Sequence, residues 1–155
     1  MKTILHPVWL VMMFLCTTPT IMAAPSIPTI RLPTDLVTMN AVYGNISYFD
    51  MTLSDIPAGF EIIKGTYHSW CVQKNMDMTK HVNHAVLLYS STTQDQPQEY
   101  QTIHWDSINY LLNHKAGNRT SIQQAIWYFT NNEECSSNAD AYAMIIDAEL
   151  HGSGF

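Results

Sequence analysis

Charge is scarce in this sequence, and positive charge is scarcer. Asp, Glu, Lys and Arg make up 13% of the 155 residues, and 7 Lys and Arg stand against 13 Asp and Glu, a formal net charge of −6. No basic run occurs. That argues against nucleic acid and anionic membrane surfaces as partners. There is no internal repeat and no second long apolar stretch after the N-terminal one, so no membrane span is expected once that segment is removed. No anchor or sorting signal follows Phe155, and the mature protein is read as soluble or held by other proteins. What is plentiful is apolar surface: 46% of residues are hydrophobic, which argues against disorder and is enough for one domain with a real core.

The N-terminal segment has the tripartite pattern of a secretory signal. Lys2 supplies the positive end, Ile4 to Met13 is mostly apolar, and Phe14, Leu15 and Cys16 extend the run. Thr17 to Thr20 break it, and cleavage is expected after Ala23, because a cut after Ala24 would leave Pro25 at the new N-terminus. The apolar run is too short for the roughly 20 residues that a bilayer needs. Residues 1–23 are therefore read as a signal peptide, 24–35 as a Pro-rich leader and 36–155 as the working domain, secreted or at the cell surface. Removing Lys2 makes the mature chain still more acidic.

Along the domain the texture changes once. Val42-Tyr43, Ile46 to Phe49, Phe60 to Ile63, Tyr67 to Val72 and Ala85 to Tyr89 are β-branched, aromatic or apolar runs of strand length. Gly44-Asn45, Ile56 to Gly59 and Lys64-Gly65 separate them as turns, and Ser90 to Gln98 reads as loop. From Trp105 the pattern is helical. Asp106 is a candidate cap for a first helix that buries Ile108, Leu111 and Leu112 and ends at Gly117. Thr120 or Ser121 caps a second, whose Ile122, Ala125, Ile126 and Phe129 fall at i, i+3, i+4 and i+7. Asn138 caps a third through Leu150, with Ala141, Ile145 and Ala148 inward and Gly152 as its stop. The expected fold is α+β: an N-terminal β-sheet or barrel-like part followed by a small three-helix part.

Several chemistries compete for the same residues. With Cys16 removed, Cys71 and Cys135 remain, and in an exported protein two cysteines suggest a disulfide. Gln123 and Gln124, each three residues past Thr120 or Ser121, fit a capping box. His68, Cys71, His81 and His84 offer a zinc-type donor set, although neither a helical turn nor a tight loop is evident at His81 and His84. Cys71 with a histidine base would suit a hydrolase, but no hydrolase signature surrounds it. Asn45-Ile46-Ser47 and Asn118-Arg119-Thr120 match the glycosylation sequon, a common chance pattern.

Two segments sharpen the choice. Trp70-Cys71-Val72-Gln73 closes a strand run, and Ile122-Gln123-Gln124-Ala125-Ile126-Trp127 opens a helix run. Together, in this order, they resemble the paired motifs of the bacterial thioester domain, the adhesion module at the tip of many surface adhesins. Trp105 to Asn113 resembles that family's stretch ahead of the glutamine helix, and Ala143 to Ala148 its following helix. The resemblance covers about Tyr67 to the end. Trp70 and Ile122 depart from the usual motif residues, and the family pattern continues into further strand where this chain stops at Gly154-Phe155, so 36–155 is read as a short or C-terminally truncated member.

The resemblance implies an internal thioester between Cys71 and Gln123, formed with loss of ammonia. Gln124 takes the motif's polar position, Ala125, Ile126 and Trp127 its end. A thioester carbonyl is a better electrophile than an amide, so an amine on a protein or surface target attacks it, and Cys71 leaves. The protein is then a single-turnover covalent binder and not an enzyme, with no cofactor and no metal. Trp70, Trp127 and Tyr128 are expected to shield the bond from water, and His68 or His104 to help deprotonate the amine. Unpaired N–H groups in the first turn of the Gln123 helix are expected to hold the oxyanion. The competing outcome is a small secreted α+β binding or structural domain with a Cys71–Cys135 disulfide.

Overall fold

The computed structural model describes residues 30–93 and 95–155. The signal segment and leader residues 24–29 lie outside the described residues. The rest is an α+β arrangement, a four-stranded antiparallel sheet followed by three helices. The strands are β1 (Val37–Tyr43), β2 (Phe49–Ser54), β3 (Gly65–Ser69) and β4 (Asn83–Val86), in the order β3-β2-β1-β4. The helices are α1 (Trp105–Asn113), α2 (Arg119–Asn131) and α3 (Ala139–His151).

Residues paired across strands lie on the same face of a sheet. One face carries Val37, Met39 and Ala41 with Met51, Leu53 and Tyr67. Val37, Ala41 and Leu53 on it are buried. The other face carries Thr38, Asn40, Thr52, Thr66, Asp50 and His68. Its side chains bond to one another: Thr52 and Thr66 through their hydroxyls at 2.9 Å, and Asn40 to Asn83 at 2.9 Å. This apolar-in, polar-out alternation is that of an antiparallel sheet covered on one side.

The strand boundaries differ from the sequence expectation, each for a local reason. Ile46 to Tyr48 form the turn between β1 and β2 and not a strand. Buried Ser47 donates to Phe49 C=O at 2.8 Å and bonds Asp50, which pulls the chain into the turn. Gly44 is required there, since a Cβ would sit 2.3 Å from Ser47 Oγ. Phe60 to Ile63 is irregular, because Glu61 N–H bonds Arg31 C=O at 3.1 Å and not a strand. β4 stops at Val86, opposite Val37, because β1 offers no residue beyond that point. β3 ends at Ser69, before Trp70, Cys71 and Val72.

The helical part holds the main core: Ile108, Leu111, Ile122, Ala125, Ile126, Cys135, Ala141, Met144, Ile145 and Ala148. All but Cys135, which lies between α2 and α3, are helical-period positions of the three segments, and truncating a fully buried one such as Ile126 to Ala costs about 3 kcal/mol. Asn118 caps α2, accepting the N–H groups of Thr120 at 2.9 Å and Ser121 at 3.1 Å. Thr120 and Ser121 therefore lie inside the helix and do not cap it. Asp106 is inside the first turn of α1, after His104, and accepts from the N–H groups of Ser107 and Gly154. α1 ends at Asn113. Gly117, at φ +74°, shapes the link to α2, where a Cβ would press on Asp140 at 2.8 Å. Asn138 caps α3 and Gly152 follows its last residue, as the sequence indicates.

Among the described residues the strand and helix backbones do not approach each other closely. The two parts meet through the segments that leave the strands. The Arg119 guanidinium donates to Gly44 C=O, Tyr48 meets Trp127 edge-on with ring centroids 5.7 Å apart, and the residues after β3 lie against α2.

Candidate functional site

The segment after β3 is where sheet and helices are tied. A residue leaving a strand keeps one N–H donor and one C=O acceptor that still need partners. For Cys71 both are supplied by one side chain. Cys71 N–H donates to Gln123 Oε1 at 2.8 Å, and Gln123 Nε2 donates to Cys71 C=O at 2.7 Å. The sense of these bonds fixes which end of the carboxamide is oxygen, because an N–H cannot face the NH₂ and a C=O cannot face the oxygen. Gln123 is 0% exposed, so both bonds are shielded from water. This also explains why β3 stops at Ser69: the backbone of Cys71 is taken by a side chain of α2 and not by a neighbouring strand.

Gln123 reaches Cys71 because of where α2 starts. With Asn118 as cap, Gln123 is the fifth helical residue, past the position a capping box uses. The expected oxyanion donors of the first turn are also spent. Thr120 and Ser121 give their N–H groups to Asn118 Oδ1, and Ile122 N–H bonds Asn118 C=O at 3.1 Å.

The face of α2 that carries Gln123 continues at intervals of four, as Trp127 and Asn131. Asn131 Nδ2 donates to Val72 C=O at 2.9 Å. Lys74 pairs with Glu133 just beyond α2 and sets its ammonium 5.5 Å from the Trp127 ring centre. So the 71–74 segment is strapped along α2 by Gln123, Trp127, Asn131 and Glu133. Asn131 and Glu133 were not among the sequence candidates. The i, i+4, i+8 spacing of Gln123, Trp127 and Asn131 is the signal that points to Asn131.

The other candidates divide. Trp70 precedes Cys71, packs against the helical core, and carries the Lys115 ammonium 5.6 Å from its ring centre. The indole N–H groups of Trp70 and Trp127 are both buried, and neither has a hydrogen-bond partner among the described residues. Gln124 points elsewhere: its Oε1 accepts from Asn138 Nδ2, at the cap of α3. Tyr128 donates to Glu149 at 2.7 Å, and this bond first, then burial, raises its pKa. Its surroundings are a groove of about 450 Å³ lined also by His104, Ser107, Phe129 and Glu134. The contacts of Gln124 and Tyr128 are thus with α3 and not with Cys71. Val72, beside Cys71, lines a smaller apolar pocket of about 250 Å³ with Tyr89, Tyr100 and Trp105.

His68 sits on the polar face of the sheet, its Nδ1 3.0 Å from Asp50 Oδ1 and 3.3 Å from Ser47 Oγ. The Ser47 hydroxyl foremost, then His68, lowers the Asp50 pKa. The zinc-type set is not gathered: among the described residues no three His, Cys, Asp or Glu side chains come together, and His84 bonds Thr79 C=O at 2.7 Å. The disulfide alternative is not formed either. Among the described residues Cys71 and Cys135 are both free thiols. The Cys71 thiol donates to Gln73 C=O at 3.0 Å, while Cys135 lies in the helical core and donates to Gln124 C=O at 3.2 Å. Burial pushes the Cys135 thiol pKa up.

No family model, no curated protein and no solved structure matches this chain.

Proposed function

We propose that this chain is an exported thioester-type domain that attaches covalently, once per molecule, to an amine on a protein or surface target. The observation that carries the reading is the fully buried Gln123 carboxamide held on the backbone of Cys71 by two hydrogen bonds. Cys71 N–H polarises the Gln123 carbonyl, which makes Cδ more open to attack by a thiolate. Cys71 sulfur adds to Cδ, the carbonyl electrons move to Oε1, and collapse expels the amide nitrogen, which leaves as ammonia with the thiol proton. In the second step a target amine adds to the same carbon and Cys71 leaves as thiolate, taking up the proton the amine loses. An amide bond joins target and protein. Burial slows hydrolysis in the interval between the two steps.

The reading fits a secreted or cell-surface adhesion role of the bacterial kind, since an acyl group aimed at foreign amines is useful only outside the cell that makes it. Intact mass of the mature chain tests it. A loss of about 17 Da, one ammonia, turned by addition of methylamine (about 31 Da) into a net gain of about 14 Da over the unmodified chain, and absent in Cys71→Ala, is the expected result. An unmodified mass in the freshly purified, folded chain overturns it.

A second reading rests on one observation, the Cys71 thiol donating to Gln73 C=O. Here the protein is a small binding or structural domain, and Gln123 only tethers the 71–74 segment. The same mass measurement separates the two, and a loss of two hydrogens restored by a reductant would mark the disulfide form.

A further inference from the structure

Acyl transfer at Gln123 places negative charge on Oε1 in the tetrahedral state, and such sites are served by more than one positioned donor. One donor is already in place, Cys71 N–H at 2.8 Å. The N–H groups of Thr120, Ser121 and Ile122 at the start of α2 are bonded to Asn118 and do not contribute. Two donors in this neighbourhood have no partner: the indole N–H groups of Trp70 and Trp127, both buried. Trp70 is joined by a peptide bond to Cys71. Trp127 lies one helical turn past Gln123, on the same face of α2.

A buried N–H without a partner costs about 1–3 kcal/mol, and buried tryptophans normally find an acceptor. Two such donors, one on the residue before Cys71 and one a helical turn past Gln123, call for an explanation. The indole N–H is a donor only, so what would satisfy it is an oxygen. Each ring also has a lysine ammonium over its face, Lys115 on Trp70 and Lys74 on Trp127. A cation there withdraws electron density from the indole and strengthens its N–H as a donor.

Resting on the thioester reading, we propose that the indole N–H groups of Trp70 and Trp127 are the further oxyanion donors, bonding Gln123 Oε1 while it carries charge. The carbonyl π pair moves onto Oε1 as the amine or thiolate adds to Cδ. The indoles hold that charge, and the pair returns when ammonia or the Cys71 thiolate departs. No proton leaves either indole.

The test compares the wild-type chain with Trp127→Phe and Trp70→Phe, which keep an aromatic ring and remove the N–H. Two rates are followed by intact mass: the appearance of the mass loss of one ammonia, and the gain of about 31 Da when methylamine adds to the thioester. The wild type is measured first, so a chain that never loses ammonia defeats the thioester reading and not this one. Each variant is expected to slow both rates by about 10²-fold with an unchanged far-UV spectrum. Where phenylalanine leaves the chain unfolded, β-(3-benzothienyl)alanine is placed at the same position, exchanging the N–H for sulfur at nearly constant shape. Wild-type rates in folded chains lacking either N–H overturn the proposal.

Discussion

Gln123 closes both backbone hydrogen bonds of Cys71, 52 residues earlier in the chain, with one buried side chain. Strand and helix backbones do not approach each other closely among the described residues, so this clasp is also a main tie between the two parts of the fold. Gln123→Ala is expected to lower stability by about 3 kcal/mol, because it leaves a buried donor and a buried acceptor unpaired and opens a cavity. Urea unfolding measures it. A loss under 1 kcal/mol would mean that the two groups find water or new partners without strain.

The cap of α2 separates two assignments of its first residue. Asn118→Ala should cost about 1 kcal/mol, since it strips the acceptor from the Thr120 and Ser121 N–H groups. Thr120→Ala should cost far less, because Thr120 is exposed and its side chain caps nothing. Thermal or urea unfolding of the two variants side by side decides the matter.

Asp50 has a pKa below its ordinary value of 3.8, held down by Ser47 and His68. A carboxyl depressed by folding contributes stability above its unfolded value, and that contribution disappears as pH falls through the folded one. The β1–β2 turn should therefore loosen below about pH 4. In Asp50→Asn that part of the acid dependence should be missing, which unfolding midpoints taken between pH 3 and pH 7 would reveal. The same acid slope in both chains would place the responsible carboxylate elsewhere.

Cys135 has the opposite sign. Burial raises its thiol above the ordinary 9.0, so the neutral form favours the folded state up to that pH, and the advantage is lost as pH rises through the folded value. In the folded chain Cys135 should resist iodoacetamide at pH 8, while Cys71, only part-buried, is alkylated first once methylamine has released it from the thioester. Peptide mapping after timed labelling reads both sites, and urea should abolish the difference.

Much of the helical part was legible in the chain. Ile122, Ala125 and Ile126 recur at helical spacing, and Asn138 and Gly152 bracket α3, because caps and apolar periodicity act within one or two turns. The sheet was legible as a sheet but not in its boundaries. Ile46 and Tyr48 have strand chemistry, yet the Ser47 hydroxyl bends the chain there. Trp70 to Val72 look like the end of a strand, yet the Cys71 backbone is engaged by α2. Tyr128 and Gln124 belong to the right helix but to its other faces, a difference set by about 100° of rotation per residue and by where the helix begins.

By itself the sequence determined the class of fold, strands first and helices after, and the resemblance of two short segments to a known family's motifs singled out Cys71 and Gln123. Those features depend on neighbours a few residues apart. Only the tertiary structure decided that the Gln123 carboxamide lies on the Cys71 backbone, that Cys135 is a separate buried thiol, and that two tryptophan N–H groups are left without partners. Each of these is a long-range contact made or not made. Its presence depends on how distant segments are brought together, which no local pattern encodes.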